Sequence, residues 1–250
     1  MAVNTKLRTE EEEIMDDFSL EGEELRDALD KIASINKLLG GNQLTLQGVK
    51  KLINSKDEIT IVDVGCGNGD MLRTLADFGI KNNQKFNLIG IDANAFTIDY
   101  AMKLSKEYPN ISYKCEDIFS EVFSQLKYDI ILCTLTLHHF KNEQIDYLLK
   151  LFYKQSKIGI VINDLHRNII AYRAFQLICF IFRLNRMSKE DGLVSILRGF
   201  KKQELIDFSE KNELKNYRIH WKWAFRYQWI IKKKNVSKNN KCCYSTTPIL

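Results

Sequence analysis

Very little in this sequence interrupts the chain. Its 250 residues include only two prolines, Pro109 and Pro248, so no proline-rich linker divides it and one large domain is expected. No internal repeat is visible, which argues against solenoids and propellers. The cysteines at 66, 115, 133, 179, 242 and 243 form no C-x-x-C pair, so neither a zinc ribbon nor a dithiol motif is expected. Cys66, Cys115 and Cys133 fall in or beside expected strands and read as small buried thiols in a reducing, cytoplasmic compartment. The longest apolar run, AFQLICFIF at 174–182, is interrupted by Gln176 and is far too short to span a bilayer. The opening MAVNTKLRTEEEE is polar and acidic, unlike a secretory signal.

A strong charge imbalance is also missing from the body of the chain. The formal net charge is +5, and Lys232, Lys233, Lys234, Lys238 and Lys241 account for all of it. A neutral body does not suit a nucleic-acid surface, and no nucleic-acid partner is expected. Residues 1–20 are acid-rich and aperiodic and are expected to be a disordered acidic arm. Residues 235–250 read as a disordered basic tail. One domain is expected over 21–234, with N-terminal helices over 21–56 and a helical lid or insertion over 165–212.

Alternation of strand and helix dominates the rest. Leu25, Leu29, Ile32, Ile35 and Leu39 recur at helical spacing, and Gly40-Gly41 ends that helix. A short helix or turn is expected over 44–53. Strands are expected over 58–65, 86–92, 111–117, 128–137 and 158–164. Helices are expected over 71–80, 95–108, 118–126 and 142–155. Such a series predicts right-handed βαβ units and a parallel sheet covered on both faces. Beyond it, one long helix is expected over 166–187 and another over 202–212. Strands over 215–223 and 225–234 then form an antiparallel hairpin. The predicted fold is α/β: a doubly wound, seven-stranded, mostly parallel sheet with an antiparallel C-terminal hairpin and N-terminal helices.

VDVGCGNGD, residues 62–70, ends the first strand and turns into the first helix after it. Ligands of open α/β sheets bind at such strand tips. The glycines Gly65, Gly67 and Gly69 are spaced G-x-G-x-G, not the G-x-G-x-x-G of a dinucleotide site, whose third glycine position holds Asp70. An acid there would repel a pyrophosphate. Asp63 and Asp70 suit a cationic ligand such as S-adenosylmethionine.

With these residues the sequence resembles the class I S-adenosylmethionine-dependent methyltransferases over roughly residues 58–234. DVGCGNGD matches the family's first motif, and Asp92 in GIDAN matches the acid that holds the ribose hydroxyls. EDIF at 116–119 matches the segment whose Asp117 would contact the adenine amino group and whose Ile118 would contact its ring. LTLHHF at 135–140 matches the segment lining the donor and acceptor pocket. The resemblance implies S-adenosyl-L-methionine as cofactor, held by Asp63, Gly65, Gly67, Gly69, Asp92, Ala93, Asp117, Ile118 and Thr134. Asp92 and Asp117 could instead serve as caps for the helices that follow them. No metal is expected.

The resemblance leans toward a small-molecule branch acting on quinones, phenolic lipids or polyketides, through NDLHRN, the apolar helix after it and DGLVSILRGF at 191–200. It implies O- or C-methylation of a small apolar or aromatic acceptor. The aromatic stretch 172–182 can simply cover the sheet, or can form a lid near a membrane surface. His139 and His166 are the candidate general bases, although either can serve packing instead. The alternatives are a methyltransferase acting on a macromolecule, a nicotinamide-dependent oxidoreductase and a non-catalytic S-adenosylmethionine binder. The first lacks the proline-containing motif usual in amine-methylating enzymes, and the glycine spacing disfavours the second.

Overall fold

In the computed structural model, which describes residues 3–53 and 57–233, the alternation becomes one sheet. Its strands are β1 (Ile59–Val64), β2 (Phe86–Asp92), β3 (Ile111–Cys115), β4 (Tyr128–Thr134), β5 (Ser156–Leu165), β6 (Tyr217–Lys222) and β7 (Arg226–Lys232). Their order is β3-β2-β1-β4-β5-β7-β6. β1 to β5 pair in parallel, whereas β7 runs antiparallel to both β5 and β6. The order reverses between β1 and β4, so the loops leaving these two strands diverge and open a crevice above their carboxyl ends.

The apolar strands explain why the sheet lies inside. β1 and β4 are buried along almost their whole length, as expected of parallel strands covered on both faces. One core cluster joins β4, β5 and β7 to α6 (Asn142–Gln155) and α9 (Lys202–Lys211). On the opposite face, α2 (Gly41–Leu52) and α3 (Asp70–Asn82) cover β1 and β2. α2 settles directly on β5: a Cβ on Gly48 would come within 2.5 Å of Val161 Cγ1.

Three expectations need correction. The helix expected over 166–187 is two helices, α7 (Ile169–Ile181) and α8 (Arg186–Arg198). Arg183 takes a left-handed φ of 47° between them, and the Asn185 side chain caps α8 by accepting from Ser188 N at 2.8 Å. α8 thereby turns back against α1 (Glu23–Leu38) and α7. Cys115 is exposed rather than buried, because β3 is an edge strand. Finally, residues 3–20 are not a frayed arm. The N–H groups of Ile14 and Met15 donate to Asp191 at 2.7 and 3.0 Å. The Asn94 amide donates to the carbonyls of Phe18 and Leu20. Arg8 donates to the carbonyls of His138 and Phe140 at 3.0 Å. An acid run that reads as solvated is thus a strap across the strand tips. The expected tail, 235–250, lies outside the described residues.

Asp191 is the strap's most concentrated anchor. Asp191→Ala should release the segment around Ile14 at a cost of about 1–3 kcal/mol, the usual penalty for orphaning buried donors. Limited proteolysis checks this: cleavage within residues 3–20 should accelerate while the rest of the chain resists. Unaltered cleavage there would contradict the anchoring role.

Candidate functional site

The crevice above β1, β2 and β4 is a cavity of about 1050 Å³. The turn after β1 forms its floor. Gly65 and Gly67 take φ values of 68° and 51°, a left-handed backbone that residues with a Cβ rarely adopt. The N–H groups of Gly65 and Cys66 bond to the Ile91 carbonyl at 2.8 and 3.0 Å, which locks the turn beside the end of β2. Asp92 stands there. Its carboxylate accepts from Gly67 N and Asn94 N, both at 3.1 Å. It caps no helix. Asn94 caps α4 (Ala95–Leu104) by accepting from Thr97 N at 2.8 Å. Asp117 likewise leaves capping of α5 (Glu121–Gln125) to Ser120 and accepts from Phe119 N at 2.9 Å.

The charge of the turn is distinctive. Burial raises the Asp63 carboxyl well above the usual range, with Asp70 and Asp92 adding to the rise. Among the described residues, the buried Asp63 Oδ1 has no hydrogen-bond partner. Burial also raises Asp92, against the backbone N–H groups it accepts. Three clustered carboxyls, one carrying an orphan oxygen, favour a cationic ligand and disfavour a phosphate.

Of the expected site residues, Gly65, Gly67, Asp92, Ala93, Asp117, Ile118 and His139 line this cavity. Asp63 lies beneath it, 2% exposed. Gly69 stands outside it, with φ 78° at the start of α3; a Cβ there would meet the Tyr113 hydroxyl at 2.0 Å. Thr134 also lies off the wall, with its hydroxyl 3.1 Å from that of Thr45. The next residues, Leu135 and Thr136, line the wall instead. Leu135 is left-handed at φ 53°, a strained conformation for a residue with a Cβ.

A second, apolar cavity of about 240 Å³ adjoins the first. α7 supplies Ala171, Phe175 and Ile178, and the turn between β6 and β7 supplies Trp223 and Phe225. Glu13, Met15, Leu135 and His139 border both cavities. His166 lines only the apolar one. Its Nδ1 lies 3.2 Å from Trp221 Nε1, and burial, with Lys201 and Arg167, pulls its pKa down to about 4. The structure therefore separates the two candidate histidines by environment.

Sequence reasoning missed the groups that surround His139. Asp16 Oδ1 lies 2.6 Å from His139 Nδ1, and Arg198 holds the other Asp16 oxygen at 2.6 Å. His138 is buried behind, with Nδ1 2.7 Å from Asp164 Oδ1. Burial opposes charge on His138, but the carboxylates of Asp164 and Glu13 outweigh it and push its pKa up to about 9. Glu13 is only 6% exposed. Burial raises its carboxyl, yet His139 and His138 hold it below the usual range. The one available signal was the apolar pair Ile14-Met15 inside the acid run.

Residues 61–159 match the family described as a methyltransferase domain. A ubiquinone biosynthesis O-methyltransferase from Rickettsia bellii is 27% identical over 128 residues, which is 51% of this chain and 50% of that protein. One from Coxiella burnetii is 30% identical over 104 residues, covering 41% and 42%. The chain thus spans about half the length of these curated relatives, or less. Among solved structures, the plantazolicin methyltransferase BpumL in complex with SAH superposes with a TM-score of 0.61 at 18% identity, covering 82% of this chain and 89% of that one. Magnesium protoporphyrin IX methyltransferase from Synechocystis PCC 6803 with bound SAM gives 0.51 at 16% identity, covering 80% and 82%. At these identities the structural likeness is one of fold.

Proposed function

The chain carries a methyltransferase domain of the class I fold, and from that premise we propose that it transfers a methyl group from S-adenosylmethionine to a small apolar or aromatic acceptor, at oxygen or carbon, in a reducing, cytoplasmic compartment. One observation carries the reading: a cavity of mixed polarity, lined by the carboxyls of Asp92, Asp117, Glu13 and Asp16, meets an apolar cavity at Glu13, Met15, Leu135 and His139. When bound, S-adenosylmethionine supplies a methyl carbon on a cationic sulfur, open to in-line displacement. Gly65 and Gly67 let the ligand approach the backbone, Asp92 would hold the ribose hydroxyls, and Ile118 and Asp117 would flank the adenine. Asp63 would answer the positive charge. The apolar cavity would receive the acceptor, and the strap would keep water out. His139, oriented by Asp16, would take the acceptor's proton.

Labelled S-adenosylmethionine with a panel of phenols, quinols and carboxylates tests the activity. Calorimetry with S-adenosylmethionine, its demethylated product and NAD tests the cofactor. Saturable binding of the first two and transfer to a panel member are expected; binding of NAD alone would overturn the reading. Binding should also release protons. Asp63 and Asp92 are held above the ordinary carboxylate range by burial, and a cation beside them favours their charged forms. Affinity should rise with pH through that raised range and then level off, and the binding enthalpy should vary with the buffer's ionisation enthalpy. A buffer-independent enthalpy would refute the coupling.

The acceptor cavity opens beside an exposed apolar strip on α7, where Ile170, Leu177 and Phe180 are 62%, 60% and 82% exposed. Trp223, across the mouth, is 66% exposed. Residues 165–188 contain no acid and carry Arg173, Arg183 and Arg186. Such a face suits the surface of an anionic bilayer, although no described helix is long and apolar enough to cross one. The protein should sediment with phosphatidylglycerol vesicles more than with phosphatidylcholine ones, less so in high salt, and Phe180→Ser should weaken the association. Equal sedimentation with both lipids would remove the membrane from the reading.

A further inference from the structure

The groups that border both cavities include two atoms with unmet demands. Glu13 Oε1 and His138 Nε2 are both buried, and among the described residues neither has a hydrogen-bond partner. They face each other at 3.5 Å, long for a hydrogen bond between charged groups. His139 Nδ1 lies 3.8 Å from the same Glu13 oxygen. All three residues offer ligand atoms within 4.8 Å of one another. We propose that Glu13, His138 and His139 form a binding site for a first-row divalent cation of the zinc class, which ties the N-terminal strap to the loop after β4.

The distances suit the chemistry. Zinc bonds of about 2.0–2.1 Å to nitrogen and oxygen set tetrahedral ligand atoms about 3.4 Å apart. The separation of Glu13 Oε1 from His138 Nε2 matches that edge, that of Glu13 Oε1 from His139 Nδ1 is slightly longer at 3.8 Å, and the ligand atoms of the three residues, all within 4.8 Å of one another, would draw in on the ion. Outer partners are already in place. Asp164 holds His138 Nδ1 at 2.7 Å, leaving Nε2 turned toward Glu13. That is the carboxylate–histidine arrangement that orients metal-binding imidazoles. Ser195 donates to Glu13 Oε2 at 2.7 Å, which frees Oε1 for the cation. Asp16 Oδ1, 2.6 Å from His139 Nδ1, would be displaced by the cation or would join it.

Charge favours occupancy. Glu13, Asp16 and Asp164 bring three carboxylates to one cluster. Arg198 opposes the cation from 4.0 Å off Glu13 Oε1, but it is already engaged by Asp16 at 2.6 Å and by the His138 carbonyl at 3.0 Å. Two imidazoles and one carboxylate select zinc, cobalt or nickel over magnesium or calcium, which prefer oxygen alone. Because Glu13 and His139 border both cavities, the remaining coordination position would open onto their junction. An acceptor hydroxyl arriving there is a natural fourth ligand.

The test is metal content and spectroscopy on the full-length, untagged chain, with Cys242→Ser/Cys243→Ser in a parallel sample so that those thiols are not counted. One equivalent of zinc is expected after dialysis, unchanged by the serine substitutions, and no magnesium. Cobalt should give the intense visible bands of a tetrahedral site. Glu13→Gln and His138→Gln should each weaken zinc binding at least tenfold, and loss in Glu13→Gln suffices if His138→Gln does not fold. Wild-type protein that retains no zinc, or Glu13→Gln protein that retains it fully, would overturn the site and leave a plain carboxylate–imidazole pair. S-adenosylmethionine binding, measured beside it, reports on the methyl-transfer reading separately: its loss with zinc retained strikes that reading alone.

Discussion

Replacing His139 with alanine should lower kcat by about 10²–10⁴-fold while leaving cofactor affinity within a few-fold. That is the range over which a positioned proton acceptor contributes to a rate, and His139 is the titratable side chain at the cavity junction whose ring is both part-exposed and oriented. Asp16 fixes it from one side, 2.6 Å from Nδ1. His138, by contrast, is sealed at 2% exposure against Asp164, so His138→Ala should act mainly through stability. His166 sits apart, facing only the apolar cavity and bonded to Trp221. His166→Ala should therefore change KM for an apolar acceptor more than kcat. Measuring kcat, KM and cofactor affinity for the three variants checks the ordering. An unaltered kcat in His139→Ala would remove that imidazole from the chemistry. Zinc on His139 Nδ1 would leave a proton on Nε2, so the base role and the metal site exclude one another: rate loss with zinc retained supports the base, and rate loss with zinc lost supports the site.

Much of this architecture was legible in the residues, for a definite reason. Strands such as ITIVDV and YDIILCT are apolar on both faces, and only burial in a parallel sheet accommodates that. The turn after β1 was legible because its glycines mark a backbone that other residues avoid. Asp92 and Asp117 came from the family resemblance, through GIDAN and EDIF, and both line the cavity. Thr134 shows the limit of such matching. It is the last residue of β4, its hydroxyl meets Thr45, and the wall begins one residue later at Leu135. The strap was illegible on physical grounds. Glu13 and Asp16 sit in a run of acids that alone would be solvated; their partners His138, His139 and Arg198 lie more than a hundred residues away in sequence. Charge pairing at that separation leaves no periodicity to read. The division between α7 and α8 was hidden similarly, because apolar residues continue through the break and the capping residue Asn185 resembles any other polar position.

Asp92→Ala should weaken S-adenosylmethionine binding by about 1–3 kcal/mol, roughly fivefold to a hundredfold, the usual cost of losing a charged hydrogen-bond partner. The structure adds a second contribution. Asp92 also accepts from Gly67 N and Asn94 N at 3.1 Å, so removing the carboxylate loosens the glycine turn that the ligand must approach. Asp92→Asn separates the two effects. An amide can still accept from one N–H through its carbonyl oxygen and can still donate to a ribose oxygen, but it carries no charge. If Asp92→Asn binds nearly as well as wild type while Asp92→Ala does not, hydrogen bonding to the ribose and the turn dominates. If both lose affinity equally, the charge dominates, and the proton release expected on binding should shrink in both. The demethylated product, which lacks the sulfonium charge but keeps the ribose, should lose similar affinity in Asp92→Ala, because Asp92 is assigned to the ribose and Asp63 to the cation. Wild-type affinity in a folded Asp92→Ala protein, established by calorimetry with circular dichroism alongside, would refute the assignment of this carboxylate to the nucleoside.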